Sequence, residues 1–327
     1  MTGPAEGAPA RTAAEEELKV EVIAREAVAE DVVSLELRRC GGGALPSWTP
    51  GSHIDLVLDE HLERQYSLCG DPGNGETWRI AVLREPGSRG GSEHVHDRIG
   101  VGDILTVRGP RNHFALEPAP RYVFVAGGIG ITPILAMIAQ AAASGADWSL
   151  VYGGRRAASM AFRDELAAHG DRVRVHPQDS HGLLPLGEIL GTPAEGTLVY
   201  CCGPEPLLQA VEQQCASWPH GALHVERFAP KEIGEPVRSQ GFRVRCARSG
   251  IEVEVGPDHS ILEVLEEAGA PVPSSCREGT CGTCESDVVS GRPDHRDSVL
   301  SGDEQEAGEI MLICVSRSLD DELVLDI

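Results

Sequence analysis

Between residues 18 and 107 the apolar positions fall in short bursts, at 18–23, 32–38, 53–58, 64–69, 77–84 and 103–107. Turn-forming clusters separate them, at Gly41-Gly42-Gly43, Thr49-Pro50-Gly51 and Asp71-Pro72-Gly73. Evenly spaced short strands of this kind predict a small antiparallel β-barrel, interrupted by one short helix near 92–98. The period changes at Arg121. Apolar runs at 122–126, 149–152, 173–175, 197–201 and 223–225 alternate with helical patterns at 133–143, 160–169, 186–190 and 206–215. Strand–helix alternation on this scale predicts an α/β, doubly wound parallel sheet. Such sheets bind ligands outside the carboxyl ends of the strands, where the strand order reverses. Residues 229–240 carry two prolines and mixed charge and read as a linker. The expected division is a disordered tail at 1–14, a barrel at 15–117, an α/β unit at 118–228, the linker, and a third unit at 241–327.

Composition changes this picture little: 41% hydrophobic residues suffice for packed cores. Residues 122–143 are almost uncharged and long enough to cross a bilayer. Gly127, Gly128, Gly130 and Pro133 break the run into strand, turn and helix, so no membrane span is expected. A formal net charge of −23 argues against nucleic acid or an anionic membrane as partner. The acidity is concentrated, with 19 Asp/Glu against 8 Arg and no Lys over residues 238–327. Either a solvated face or an acidic surface steering a basic redox partner would account for it.

The third unit holds the strongest chemical signal. Cys276, Cys281 and Cys284 are spaced C-x4-C-x2-C, and 29 residues separate Cys284 from Cys314. Four thiolates in that order are the plant-type ligand set of a [2Fe–2S] cluster. The glycines between them let the backbone close around a cluster, often with positive φ. Zinc is the rival metal, because Cys281-Gly282-Thr283-Cys284 alone has a zinc-knuckle spacing. Zinc sites usually join two short-spaced pairs, and here three cysteines share one loop with a distant fourth. The first 14 residues have no apolar signal core, so thiolate ligands in a cytoplasmic protein fit better than secreted disulfides. Cys40, Cys69, Cys201, Cys215 and Cys246 lack ligand spacing and read as free thiols.

Several shorter motifs accompany it. Arg64-Gln65-Tyr66-Ser67 lies on a barrel strand, where alternation puts Arg64 and Tyr66 on one face and Ser67 on the other. About 25 residues on, Ser88-Arg89-Gly90-Gly91-Ser92 opens the short helix. Its N–H groups suit an anion, unless Ser92 merely caps the helix. Ala126-Gly127-Gly128-Ile129-Gly130-Ile131-Thr132-Pro133 directly follows the first parallel strand. It is not the G-x-G-x-x-G fingerprint, yet its glycines permit close approach to a pyrophosphate, with Thr132 as cap and Pro133 at the first helical position. Cys201-Cys202-Gly203-Pro204 and Glu226-Arg227-Phe228 close later strands.

Taken together, residues 18–327 resemble the phthalate dioxygenase reductase family, which includes the vanillate demethylase reductases. The carriers are the R-x-Y-S strand, the G-G-x-G-I-T-P turn, the C-G-P turn, the 256–269 segment and the cysteine loop. The resemblance implies a flavin-binding antiparallel barrel, a nicotinamide-binding α/β domain and an α+β (β-grasp) ferredoxin domain. It implies FMN, with FAD left open, held by Arg64, Tyr66, Ser67, Gly90, Gly91 and Ser92, with Arg84 as a further cation and Arg89 as a weaker one. It places a nicotinamide nucleotide against Gly127, Gly128, Gly130, Thr132, Pro133, Cys202, Gly203 and Pro204.

Ser67, Thr132, Cys202 and Phe228 would surround the reacting rings, Cys202 as a compact positioning residue and Phe228 against the flavin. A structural cysteine and a core phenylalanine are the plain alternatives for the last two. Arg155 and Arg156 follow the second parallel strand, with no acidic residue there for a ribose 2′-hydroxyl. NADH is expected because the family mostly prefers it, with NADPH possible. Cys276, Cys281, Cys284 and Cys314 would hold the cluster. The implied activity is that of an NAD(P)H-dependent oxidoreductase, the reductase component of a Rieske-type oxygenase. A haem monooxygenase client and a carrier without nicotinamide activity are the alternatives. Asp294-His295-Arg296-Asp297 matches a loop near a domain interface, with a structural or interface role for His295.

Overall fold

The computed structural model describes residues 17–59, 62–85, 87, 90–231, 234, 236–238 and 240–327. The expected tail, Ser88, Arg89 and part of the expected linker lie outside these residues.

Six strands form the first unit: β1 (Leu18–Ala29), β2 (Val32–Arg39), β3 (Ser52–Asp59), β4 (Leu62–Ser67), β5 (Thr77–Leu83) and β6 (Ile104–Asn112). Helix α1 (Gly91–Arg98) lies between β5 and β6. The sheet order is β4-β3-β6-β1-β2-β5, antiparallel throughout. Just past β4, the Cys69 N–H donates to the Arg79 carbonyl at 2.8 Å, which brings the two edges together as a barrel. Alternating burial along β1, with Leu18, Val20 and Val22 inside, matches a strand with one face on the core.

The second unit follows. Its parallel strands are β7 (Arg121–Gly127), β8 (Asp147–Gly154), β9 (Val173–Pro177), β10 (Thr197–Cys202) and β11 (Leu223–Glu226), ordered β11-β10-β7-β8-β9. Helices α2 (Ile131–Ser144), α3 (Arg163–Ala167), α4 (Gln178–His181), α5 (Leu186–Leu190) and α6 (Glu205–Cys215) connect them. The order reverses between β7 and β10, so the turns after these two strands lie side by side. The helix expected over 160–169 is shorter than its pattern. Phe162 takes a positive φ of 60° at its start, Met160 is buried as extended chain, and Ala161 is buried in a turn.

The third unit is a mixed sheet with a helix packed against it. Strands β12 (Phe242–Cys246), β13 (Glu252–Val255), β14 (Glu285–Ser290), β16 (Ile310–Leu312) and β18 (Glu322–Leu325) are ordered β13-β12-β18-β14-β16. A small pair, β15 (Pro293–Asp294) and β17 (Arg317–Ser318), stands apart. Helix α7 (Ile261–Glu267) starts at a capping box in which Ser260 and Glu263 satisfy each other's backbone N–H, and α8 (Gly302–Ala307) repeats that device with Ser301 and Glu304. This is the expected α+β arrangement.

The first two units share a core. Val32, Cys69, Ala81 and Phe114 of the barrel pack in one cluster with Phe124, Ile131, Met137 and Phe162 of the α/β unit. The third unit's core, around Phe242, Leu262, Leu312 and Leu323, shares no residue with the others. No helix among the described residues is long and apolar enough to cross a membrane.

Candidate electron-transfer site

At the reversal point two turns interlock backbone on backbone. Cys202 is in register with Ala126, and a Cβ on Gly130 would stand 2.3 Å from the Cys202 carbonyl oxygen. A Cβ on Gly127 would meet Pro204 Cδ at 2.7 Å, and one on Gly203 would meet the Gly127 backbone at 3.0 Å. Gly128 takes φ +56°, open on its Cβ side. The turn is therefore glycine-built for two reasons: contact with the neighbouring turn and backbone conformation.

The expected cap is corrected here. A 3-10 turn over Gly128–Gly130 runs straight into α2, so the helix starts at Ile131 with Gly130 in the cap position. The Thr132 hydroxyl donates backward to the Ile129 carbonyl at 3.0 Å, and Pro133 is the third helical residue rather than the first.

Cys202 is fully buried, and its thiol points at Glu226 Oε2, 3.7 Å away. Burial pushes the thiol well above its usual range and the Glu226 carboxyl up to about 8. Glu226 was not singled out from the sequence. A carboxylate ending the apolar run Leu223-His224-Val225, opposite Cys202 in register, is the signal that could have found it. Next to it, Arg227 is anchored by Glu205 at 3.0 Å and Glu212 at 2.7 Å. Phe228 then projects with 47% of its surface exposed, so it is not a core phenylalanine.

At the end of β8, Arg155 is exposed while Arg156 pairs with Glu30 of the barrel at 2.9 Å. The Arg155 carbonyl accepts the Asp179 N–H at 3.1 Å. Asp179 of α4 is thereby held beside Arg155 through its backbone, while its carboxylate accepts from Ser180 at 2.9 Å.

In the barrel, Arg64 and Tyr66 sit half-buried on β4 and Ser67 is buried. The Arg64 side chain lies across the Gly90–Gly91 turn so closely that a Cβ on Gly91 would meet its Cγ at 2.5 Å. Gly90 caps α1 with φ 87°. Ser92 is not the cap: its hydroxyl accepts the Glu85 N–H at 3.1 Å and ties the helix to the end of β5. The structure separates Arg84 from this turn, since its guanidinium pairs with Asp97 in the last turn of α1.

The cysteine loop closes through three positive φ angles, at Arg277, Gly279 and Gly282. The N–H groups of Glu278 and Thr280 donate to Cys276 Sγ at 3.3 and 3.4 Å. Cys281, Cys284 and Cys314 are buried, and Cys276 is half-buried. Hydrogen bonds from Cys281 and Cys314 draw the Cys276 thiol down to about 2, while Cys281 and Cys314 are held above their ordinary range. Cys284 is drawn down by Cys314. Cys276 is in hydrogen-bond contact with both Cys281 and Cys314, and Cys314 with Cys284, so the four sulfurs lie together as the ligand set of a two-iron cluster requires. The residues fit that group.

Two family models match and set the class. An oxidoreductase NAD-binding domain matches residues 124–213, and a 2Fe-2S iron-sulfur cluster binding domain matches residues 244–319. The chain is 44% identical over 301 residues to the phenoxybenzoate dioxygenase subunit beta of Ectopseudomonas oleovorans, covering 91% of this chain and 94% of that one. It is 38% identical over 316 residues to the phthalate dioxygenase reductase of Burkholderia cepacia, covering 95% and 97%. A solved phthalate dioxygenase reductase, described as a modular structure for electron transfer from pyridine nucleotides to [2Fe-2S], superposes with a TM-score of 0.68 at 37% identity, covering 95% and 98%. The chain belongs to the phthalate dioxygenase reductase family. An intact type IV self-sufficient cytochrome P450 monooxygenase superposes with a TM-score of 0.90 at 46% identity, covering 95% of this chain. This chain spans about two-fifths of that protein's length, 41%.

Proposed function

We propose that this chain is the reductase component of an oxygenase system, taking reducing equivalents from NADH and passing electrons singly to a separate terminal oxygenase. The observation that carries the reading is the joining of the three sites in one chain: the interlocked turns after β7 and β10, the Arg64–Gly91 corner of the barrel, and the four-sulfur loop set against that same barrel. The domain limits that go with it are 15–117, 118–228 and 241–327, with 229–240 as linker.

When bound, FMN takes two electrons as hydride and releases them one at a time to a [2Fe–2S] cluster. The chain's own residues do the rest. Gly127, Gly128 and Gly130 admit a pyrophosphate to the start of α2, with Pro204 and Gly203 closing the other wall. Cys202, small and neutral, leaves space where the nicotinamide must stack, and Glu226 holds a proton beneath it. Phe228 covers the flavin ring with an aromatic face that is otherwise half in water. Arg64 meets the flavin phosphate with the N–H groups of Gly91 and Ser92, Tyr66 lines the ring and Ser67 reaches its edge. Arg155 and Asp179 bracket the adenosine end, and the carboxylate favours a ribose diol over a 2′-phosphate. Cys276, Cys281, Cys284 and Cys314 hold the irons. Among the described residues no cysteine is in a disulfide, and the six outside the cluster set are free thiols, which suits the reducing cytoplasm.

A Rieske-type oxygenase is the first client, because relatives along the whole chain are named as reductase subunits of such systems as phthalate 4,5-dioxygenase. A haem monooxygenase is the second, favoured by the P450 fusion. The test is anaerobic titration of the purified protein with NADH, with cofactor extraction and iron, sulfide and zinc analysis. Bleaching of both flavin and cluster bands is expected, and a colourless or zinc-loaded protein sinks the reading. Product formation with a purified Rieske oxygenase, compared with a P450, then separates the clients.

A further inference from the structure

The third unit touches the barrel through polar groups, and these converge on the cluster loop. Gln65 Nε2 donates to Asp55 Oδ1 at 3.0 Å and to Ser275 Oγ, 210 residues further along the chain, at 2.9 Å. Ser275 Oγ in turn donates to Glu63 Oε1, and Glu63 Oε2 accepts from Arg108 at 2.6 Å. Asp55 is wholly buried and paired with Arg111, so the platform under Gln65 is itself pinned. Ser275 immediately precedes the ligand Cys276.

A second grip lies on the other side of the loop. His113 packs so close to Gly282, between Cys281 and Cys284, that a Cβ there would meet its Nε2 at 2.3 Å. A cleft of about 550 Å³ runs between these elements, lined by Glu63, Arg64, Arg108, Ser275 and Cys276 among others. Strand alternation sharpens the picture. On β4, Arg64 and Tyr66 belong to the proposed flavin face, and Glu63 and Gln65 point to the cluster loop.

We propose that Gln65 and His113 are positioning residues that seat the cluster loop on the barrel, acting through Ser275 and Gly282 to fix the separation between flavin and cluster. The inference rests on the electron path proposed above. Gln65 uses both of its N–H donors to bind a fixed acceptor on one side and the loop on the other, which is what a spacer between two bodies requires. This seam is the place where distance can slip, because among the described residues no apolar cluster joins the third unit to the barrel.

The test uses the full holoprotein and two clocks. Stopped-flow absorbance follows flavin reduction by NADH and, separately, reduction of the cluster. Hydrogen exchange over residues 274–284 reports seating independently of turnover. Gln65→Met should keep flavin reduction within about twofold while slowing cluster reduction by about 10- to 100-fold, the scale of a small misplacement, with faster exchange over 274–284. Ser275→Ala should do the same, Ser275→Thr should retain the parent rate, and Gln65→Met with Ser275→Ala should be no slower than either alone. His113→Ala should slow cluster reduction less.

Unchanged cluster reduction with unchanged exchange in Gln65→Met and Ser275→Ala overturns the proposal, and so do effects that multiply in the double variant. Loss of iron from both single variants also overturns it, since the seam would then serve cluster retention. A parent protein whose cluster NADH cannot reduce defeats the electron path instead, and the exchange data still decide the seam.

Discussion

The barrel meets its two neighbours in opposite ways. Against the nicotinamide unit it shares an apolar core, and Arg79 rivets the edge, bonding to the Cys69 carbonyl and to Glu165 while lying 5.0 Å over the Phe162 ring. Against the cluster unit it offers Glu63, Gln65, Arg108 and His113 to a loop held by hydrogen bonds. Hydride transfer needs two rings in contact and correctly stacked, and a common core fixes such contact without depending on any one side chain. Electron transfer needs only a bounded separation, which a few directional bonds can set. The first seam should spread the loss of a side chain over both units, and the second should answer to single hydrogen bonds.

The largest effect expected is at the far end of the second seam. Cys314→Ser removes one of the four sulfurs proposed to hold the cluster, and iron analysis should show the cluster lost. One-electron delivery should fall to background while NADH still bleaches the flavin. A variant that keeps its iron would break the four-sulfur assignment. Within the first seam, Phe114→Ala should cost about 3–5 kcal/mol, as large-to-small core changes do. Because Phe114 belongs to the shared cluster, urea unfolding should weaken barrel and nicotinamide unit together, with the cluster's visible band surviving to higher denaturant. Two separate transitions for barrel and nicotinamide unit would defeat the shared-core account. Gly130→Ala comes third. Its Cβ must displace the Cys202–Gly203 backbone, so flavin reduction by NADH should drop by about 100-fold with flavin content and cluster intact.

The sequence carried these regions unevenly. The four cluster cysteines are legible because side-chain sulfur at a fixed spacing has few other uses, and the barrel and parallel sheet are legible because period two and strand–helix alternation report burial directly. Thr132 read as a cap because a threonine stands before a proline. The 3-10 turn that shifts the helix start is a backbone event with no residue signature. Arg84 was implied as a further cation by the family resemblance alone, and its side chain reaches Asp97 at the other end of α1. The polar seam was invisible for a stronger reason. Asp55, Glu63, Gln65, Arg108 and Ser275 come from three strands and a loop of another unit, and no local pattern marks residues that meet only after both units have folded.

The smallest effect concerns protons, and it tells the two sides apart. Burial raises the Glu226 carboxyl from 4.5 to about 8, and burial also raises Glu63 in the polar seam. A carboxyl whose folded pKa is raised holds a proton that the unfolded chain has lost between the two values. Its contribution is therefore complete below about pH 4.5 and is lost as pH rises through about 8. Over that window Glu226 alone can tilt stability by up to about 1.4 kcal/mol per pH unit. Glu226→Gln cannot ionise, so its urea midpoint relative to the parent should climb from pH 5 to pH 8 and then level. If the climb appears, the pH sensitivity resides beneath Cys202, on the nicotinamide side of the barrel. If parent and variant stay parallel, Glu226 does not hold its proton into this range, and the strand end beneath Cys202 is not the part of this protein that feels pH.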